Sequence, residues 1–362
     1  MKIKCFFIII ALFSLFSISV RAEEYTLDGF SDIIPDAART DDNSAEHIAQ
    51  NFTIGHVVDL IAAELGKLAE PLTRQLAILL GVVVLVSMVQ ALKTSFSDTG
   101  LSSALEYITL LCAALAAYTA IAGVWERLTA AMSGLTAFMT GLIPMMSALY
   151  AAGGNVTTAA ISSAGLMTLT AFCEQLSYYI LWPVLRVCFG LALIAGMGGQ
   201  ISLSGIAGVL RGMFTTVLTF VMTILTAVLG YQTNLALSAD NVSAKALKFV
   251  ASSYIPVVGG ALGDAIRAIG GSVGLLRATL GGAAVAVIFA LVLPAVLQIY
   301  LCRFTFSLVG SAAKLVGCDR ESAFFGEMRS ILGFGLAILV SCAVMFLFFV
   351  TLFARAAVGI TQ

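Results

Sequence analysis

The chain has 362 residues, of which 60% are apolar and only 11% are charged, and its formal net charge is −1. A soluble domain usually has about 25% charged residues, because its surface must be solvated. The composition therefore excludes water-soluble enzyme folds and predicts a polytopic membrane protein.

The first 22 residues have the layout of a secretory signal. Lys2 and Lys4 precede an apolar run, which ends near the small residues Val20 and Ala22. This order of a basic, an apolar and a small-residue region is typical of a cleaved signal peptide. Residues 1–22 are therefore predicted to be removed, and an uncleaved signal anchor is the alternative.

Residues 23–74 form an acidic lead-in, with eleven acidic against three basic residues, whereas residues 75–362 hold nine against thirteen. After the signal, this segment is expected on the extracytoplasmic side. Apolar residues recur at helical spacing over residues 54–76, which predicts an amphipathic helix. Pro71 is expected to kink or end that helix.

The membrane body is predicted to be an all-α bundle of seven or eight transmembrane helices. Eight runs approach the ~20 apolar residues that cross the hydrocarbon. They cover residues 76–92, 104–124, 128–150, 158–172, 178–197, 213–231, 283–302 and 331–353. Residues 75–127 hold the first two helices. The count falls to seven if residues 128–150 only dip into the membrane.

Four prolines indicate an internal duplication with proline-broken helices. Pro144 and Pro256 are 112 residues apart, and Pro183 and Pro294 are 111 apart. The predicted repeats cover residues 128–231 and 232–362, and the four prolines are candidate hinges. Coincidence is the alternative, because few positions match. Repeats with broken helices are typical of transporters and channels.

A stripe of glycines lies within the second predicted repeat. Its members are spaced 4, 7, 4 and 7 residues apart, and they are Gly259, Gly263, Gly270, Gly274 and Gly281. Small residues on one helix face let a second backbone approach closely. The stripe predicts a re-entrant or interfacial helix that forms a packing or pore seam. A flexible glycine loop is the alternative.

Four charged residues are candidates for a polar pathway: Glu174, Arg186, Asp264 and Arg267. Charges inside a membrane are costly and usually face the protein interior or a cavity. Asp264 and Arg267 are three residues apart and can pair on one helix face. The alternative is that Glu174 lies at the interface and Arg186 reaches it by snorkelling.

No pattern typical of catalysis occurs in the sequence. His47 and His56 are the two histidines, both before the membrane body, and no H-E-x-x-H, Walker A or G-x-S-x-G motif is present. Such motifs supply metal ligands, phosphate cradles or nucleophiles. We therefore expect no enzyme activity, no catalytic residue, no metal and no cofactor. Nucleic-acid binding is not expected either, since there is no basic patch.

Three segments carry a resemblance to a known family. Residues 138–144 (FMTGLIP), 254–264 (YIPVVGGALGD) and 312–325 (AAKLVGCDRESAFF) resemble stage III sporulation protein AE of endospore-forming Firmicutes. The resemblance covers residues ~50–355. It implies a non-enzymatic membrane subunit of a channel or secretion-like complex that joins mother cell and forespore.

The resemblance also implies location and partners. The chain is expected in the mother-cell-derived membrane around the forespore. Its expected partners are the other stage III sporulation membrane subunits and, through the complex, a forespore membrane protein, with a homo-oligomer left open. The residues alone leave a second function open, a secondary transporter or permease for a small solute.

Overall fold

The computed structural model describes residues 54–93, 99–176, 182–196, 203–254 and 259–356, together with positions 34, 48 and 179. These segments form seven helices and contain no strand, which confirms the prediction of an all-α protein. The helices are α1 (Ile54–Lys93), α2 (Thr99–Ala152), α3 (Val156–Gln175), α4 (Trp182–Gly196), α5 (Leu203–Tyr254), α6 (Gly259–Leu315) and α7 (Asp319–Ala356). The predicted signal peptide lies outside the described residues.

Several helices are much longer than one membrane crossing. Helices α2, α5 and α6 have 54, 52 and 57 residues. At 1.5 Å per residue, α6 is about 85 Å long, whereas the hydrocarbon is ~30 Å thick. These helices therefore extend well beyond a single hydrocarbon layer.

Within the described residues, six helices are long and apolar enough to cross a membrane. The predicted count of seven or eight is not confirmed, for two reasons. Residues 104–124 and 128–150 belong to the single helix α2, and α4 has only 15 residues. The expected break at residues 125–127 is absent because Glu126 and Arg127 are good helix formers. Trp125 is buried among neighbouring helices while Glu126 and Arg127 are exposed.

The prolines do not break the long helices. Pro71, Pro144 and Pro294 lie inside α1, α2 and α6. Pro183 is the second residue of α4, a position where a missing N–H is tolerated. The predicted counterparts Pro183 and Pro294 thus occupy a helix start and a helix interior, so the proline-broken duplication is not confirmed. Pro256 lies outside the described residues.

Helices α6 and α7 form the most extensive helix pair and the centre of the bundle. They are joined by three residues, in which Gly317 has a φ of 79°. All side chains of residues 283–288 in α6 are buried, as expected for a helix that is apolar on every side and enclosed by others. Helices α1, α2 and α5 also contact this pair.

Two segments at the starts of α1 and α6 agree in part with what their sequence patterns predicted. The predicted amphipathic helix of residues 54–76 is the first part of α1, which continues through Pro71. The glycine-rich stretch from Gly259 to Gly281 is the first part of α6 and is continuous with the apolar run that follows.

Candidate functional site: a turn held by two buried charges

The turn between α2 and α3 is contacted by two buried charged side chains, Arg277 and Asp240. Helix α2 ends at Ala152 and α3 begins at Val156. The Gly153 N–H bonds to the Leu149 carbonyl at 3.2 Å, and the Gly154 N–H bonds to the Ala151 carbonyl at 2.9 Å. Gly154 has a φ of 79°, which favours glycine. The two helices therefore reverse direction over three residues.

Arg277 of α6 binds the carboxyl-terminal end of α2. Its side chain is fully buried. The Nη2 atom donates to the carbonyls of Leu149 at 2.7 Å and Tyr150 at 3.2 Å, and Nε donates to Leu149 at 3.2 Å. The guanidinium carbon also lies 4.7 Å from the Tyr150 ring centre. A cation is stabilised here because the carboxyl end of a helix carries partial negative charge.

Gly153 makes room for this arginine. A Cβ atom at Gly153 would lie 2.3 Å from Nη2 of Arg277. Any side chain there would displace the guanidinium from the carbonyls of α2. Gly153 is thus needed for the close approach of Arg277, whereas the backbone of the turn itself favours glycine at Gly154.

Asp240 of α5 binds the opposite side of the turn, at the amino-terminal end of α3. Its carboxylate accepts hydrogen bonds from the N–H of Thr157 at 3.3 Å and of Thr158 at 2.8 Å. It also accepts one from Thr158 Oγ1 at 2.7 Å. Asn155, at the cap position, makes no side-chain cap bond. Asp240 therefore supplies the anionic cap that α3 lacks locally.

Together the two charges fix four helices at one point. Arg277 links α6 to α2, and Asp240 links α5 to α3. Each charge is satisfied by helix-end groups, which is the condition for keeping a charge buried. The arrangement is suited to holding helices in a fixed geometry, since the described contacts of both side chains are with helix ends and one ring.

A second polar contact joins the start of α2 to the start of α7. Arg320 forms an ion pair with Glu106. The Thr109 hydroxyl donates to Oε1 of Glu321, which is 2% exposed, at 3.2 Å. Cys318 lies beside this contact, in the turn before α7. Burial, with Glu321 and then Asp319 adding to it, raises the pKa of the Cys318 thiol.

The predicted glycine seam is placed in α6, and its described part packs inside the chain. A Cβ atom at Gly281 would lie 2.6 Å from the Cβ of Ala354 in α7, so this glycine lets the two central helices approach. Gly274 is half-buried. The surroundings of Gly259, Gly263 and Gly270 lie outside the described part of the structure.

The predicted pathway residues are not brought together among the described side chains. Glu174 is exposed at the end of α3, and Arg186 is exposed in α4. Asp264 and Arg267 lie in α6, but their side chains are not described. In the segments that are described, no three His, Cys, Asp or Glu side chains are placed to share a metal ion.

Sequence reasoning missed the role of Asp240 and Arg277. Both stand at an end of a long uncharged run, where a charge first suggests a membrane interface. The signal that could have found them is Gly153-Gly154-Asn155, a turn whose adjacent helix ends need partners. The partners of these two residues could not be predicted from the sequence, because 82 residues separate Asp240 from Thr158 and 128 separate Arg277 from Leu149.

The fold defines a polytopic helical membrane protein whose helix ends are held by charges from other helices. The chain belongs to the stage III sporulation protein AE family (spore_III_AE), which it matches over residues 43–357. Membership implies a role in sporulation.

A curated relative, Stage III sporulation protein AE of Bacillus subtilis (strain 168), is 22% identical over 243 residues. The match covers 66% of this chain and 61% of the relative. The chain thus spans about three-fifths of the curated relative that it matches. No solved structure matches the chain.

Proposed function

We propose that this chain is a non-enzymatic integral membrane subunit of a channel complex that joins mother cell and forespore and is required for endospore formation. The observation that carries the proposal is membership in the stage III sporulation protein AE family, over residues 43–357. The six apolar helices found in the described part of the chain support a location in a membrane.

The charged side chains that link helices in the described structure support a role in assembly. Arg277 and Asp240 are buried, and their polar atoms contact helix ends. Glu106 and Arg320 tie two further helix starts together. A bundle stiffened in this way is suited to present fixed surfaces to neighbouring subunits.

The lengths of the helices support the same role. Helices α2, α5 and α6 exceed one hydrocarbon thickness, so parts of them project from the bilayer. The proposed partners are the other stage III sporulation membrane subunits and, through the complex, a forespore membrane protein. The proposed location is the mother-cell-derived membrane around the forespore, with the acidic lead-in in the intermembrane space.

A deletion strain tests the proposal. Cells without this chain should begin engulfment and then stop at stage III, and the full chain should restore spore formation. The Glu174→Gln variant is the matched control, because Glu174 is exposed and should restore spore yield equally. Normal spore yield in the deletion strain would contradict the proposal. Failure of the Glu174→Gln variant alone would favour a solute pathway instead.

A further inference from the structure

Two arginines stand at the same end of the uncharged runs of α6 and α7. In α6 the run lies between Arg277 and Arg303, and in α7 between Arg329 and Arg355. Each run holds 25 residues and is about 37 Å long, which covers the ~30 Å hydrocarbon with a small margin. Because α6 and α7 are antiparallel neighbours, Arg303 and Arg329 lie at one membrane interface.

Aromatic side chains support this position. Tyr300 is 45% exposed and Phe304 is 60% exposed on the same helix as Arg303. Tyr and Trp rings, unlike Phe, are enriched at the level of the lipid headgroups, so Tyr300 is the ring that supports this depth. Arg303 therefore lies at the depth where phospholipid phosphates are found.

The two arginines share one face of the α6–α7 hairpin. Nη1 of Arg329 donates to Ser307 Oγ at 3.2 Å, and Ser307 is one turn after Arg303. A Cβ atom at Gly333, one turn after Arg329, would lie 3.1 to 3.4 Å from Cζ, Nη2 and Nη1 of Arg303. Because these three distances are similar, the Arg303 guanidinium lies flat against the α7 backbone. The missing side chain of Gly333 leaves the space for it.

Neither arginine has an anionic partner among the described residues. The Nε atom of Arg303 is buried and has no hydrogen-bond acceptor. Helix α6 has no acidic residue after Asp264, and α7 carries Glu327 two residues before Arg329. Neither arginine forms an ion pair with an acidic residue within the described segments. The two neighbouring guanidinium groups repel each other and have no anionic partner among the side chains that the structure describes, so this arrangement favours an anion that binds both of them.

We propose that Arg303 and Arg329 bind a phosphate group, with an anionic phospholipid headgroup as its source. The planar guanidinium matches phosphate oxygens in a fork-like geometry. Basic pockets between transmembrane helices are known sites for anionic headgroups. Phosphate oxygens would accept from Arg303 and Arg329 together and relieve the repulsion between the two cations.

Native mass spectrometry of the full chain in detergent tests the proposal. The probes are dioleoyl-phosphatidylglycerol, dioleoylglycerol with the same acyl chains and no phosphate, and inorganic phosphate. Wild-type protein should retain the phosphatidylglycerol in preference to the dioleoylglycerol. The Arg303→Gln and Arg329→Gln variants should bind it about tenfold more weakly, since each loses charge-assisted hydrogen bonds.

Lys314→Gln is the matched control, because it removes an exposed positive charge from the same helix beyond the interface. It should bind phosphatidylglycerol like the wild type. Arg329 is also exposed, so the Arg329→Gln variant tests the site without disturbing the core. Circular dichroism would verify that each variant keeps its helix content.

Three outcomes would overturn the proposal. Equal lipid binding by wild type and both arginine variants would show that these residues hold no phosphate. If the variants bind lipid normally but lose a co-purifying membrane protein, the anion is an acidic group of that partner. Arginine-dependent binding of inorganic phosphate that the lipid does not displace would show that the source is free phosphate and overturn the lipid assignment.

Discussion

Asp240 and Arg277 hold the two sides of one turn. The carboxylate lies at the amino-terminal end of α3 and the guanidinium at the carboxyl-terminal end of α2, each opposite in sign to the partial charge that it faces. The turn contributes no charge of its own. Its geometry therefore depends on α5 and α6, which reach it from distant parts of the chain.

Replacing Arg277 by Met should destabilise the bundle. The change keeps an apolar stem of similar length but removes the donors to the Leu149 and Tyr150 carbonyls. Hydrogen bonds to charged groups are worth about 1.5–3 kcal/mol, so the loss should be of that size. Thermal unfolding of the detergent-solubilised chain measures it. Arg127→Met, at an exposed position of α2, is the control, and an equal effect of both changes would contradict the role of Arg277.

Replacing Gly153 by Ala should act through Arg277. The added Cβ would stand 2.3 Å from Nη2 and push the guanidinium off α2. Combined with Arg277→Met, the change should therefore add little further loss, a non-additivity that a double-mutant cycle measures. Gly123→Ala is the control, because no atom lies within 4 Å of its Cβ position. Simple additivity of the two losses would count against the coupling.

Replacing Gly281 by Ala should separate α6 from α7. Its Cβ would lie 2.6 Å from the Cβ of Ala354, so one helix must shift. Overpacking of this kind typically costs about 1–3 kcal/mol. The second change Ala354→Gly should restore most of the stability, because it removes the atom that clashes. The measurement is the unfolding temperature of the Gly281→Ala variant and of the double variant with Ala354→Gly. If the double variant is no more stable than Gly281→Ala alone, the contact between these two residues does not set the distance between the helices.

Cys318 should react slowly with maleimide at neutral pH. The thiolate is the reactive form, and the raised pKa means that less thiolate is present at a given pH. Labelling should increase as the pH rises past the usual range of a thiol. Mass spectrometry after digestion reads each cysteine separately, and Ser311→Cys supplies an exposed comparison on α6. Equal rates at the two positions would refute the prediction.

Replacing Gly263 or Gly270 by Leu should block assembly with other subunits while the chain still inserts into the membrane. This prediction rests on the stripe of small residues in α6. Blue-native electrophoresis of membranes from sporulating cells distinguishes assembled from free protein. Normal assembly and normal spore yield in both variants would contradict the prediction that the glycine stripe forms a packing seam.

The sequence predicted the helices better than their connections. The apolar runs at 213–231, 283–302 and 331–353 lie in α5, α6 and α7, because long uninterrupted apolar runs leave a helix as the one way to satisfy the backbone in lipid. The break expected after Val124 was wrong, since α2 is continuous there. A Trp-Glu-Arg sequence is compatible both with an interface and with a helix interior, and tertiary packing decides between them.

The candidate site was less predictable than the fold. The glycines at 153 and 154 mark the turn, but nothing local to them specifies Asp240 or Arg277. Contacts across 82 and 128 residues depend on how the helices pack. Glu174 and Arg186 were predicted as pathway residues because charges are rare in the apolar runs; both are exposed, and their role stays a prediction. The role of a charged residue near the end of an apolar run can be assigned only when the structure shows which helix end it contacts.

Co-purification tests most directly whether this chain is part of an assembled sporulation complex. A tagged full chain would be isolated from detergent-solubilised membranes of sporulating cells and its associated proteins identified by mass spectrometry. The other stage III sporulation membrane subunits should be recovered with the wild-type chain. Recovery of the chain alone, from solubilised membranes in which those subunits are present at normal levels, would contradict membership in the complex.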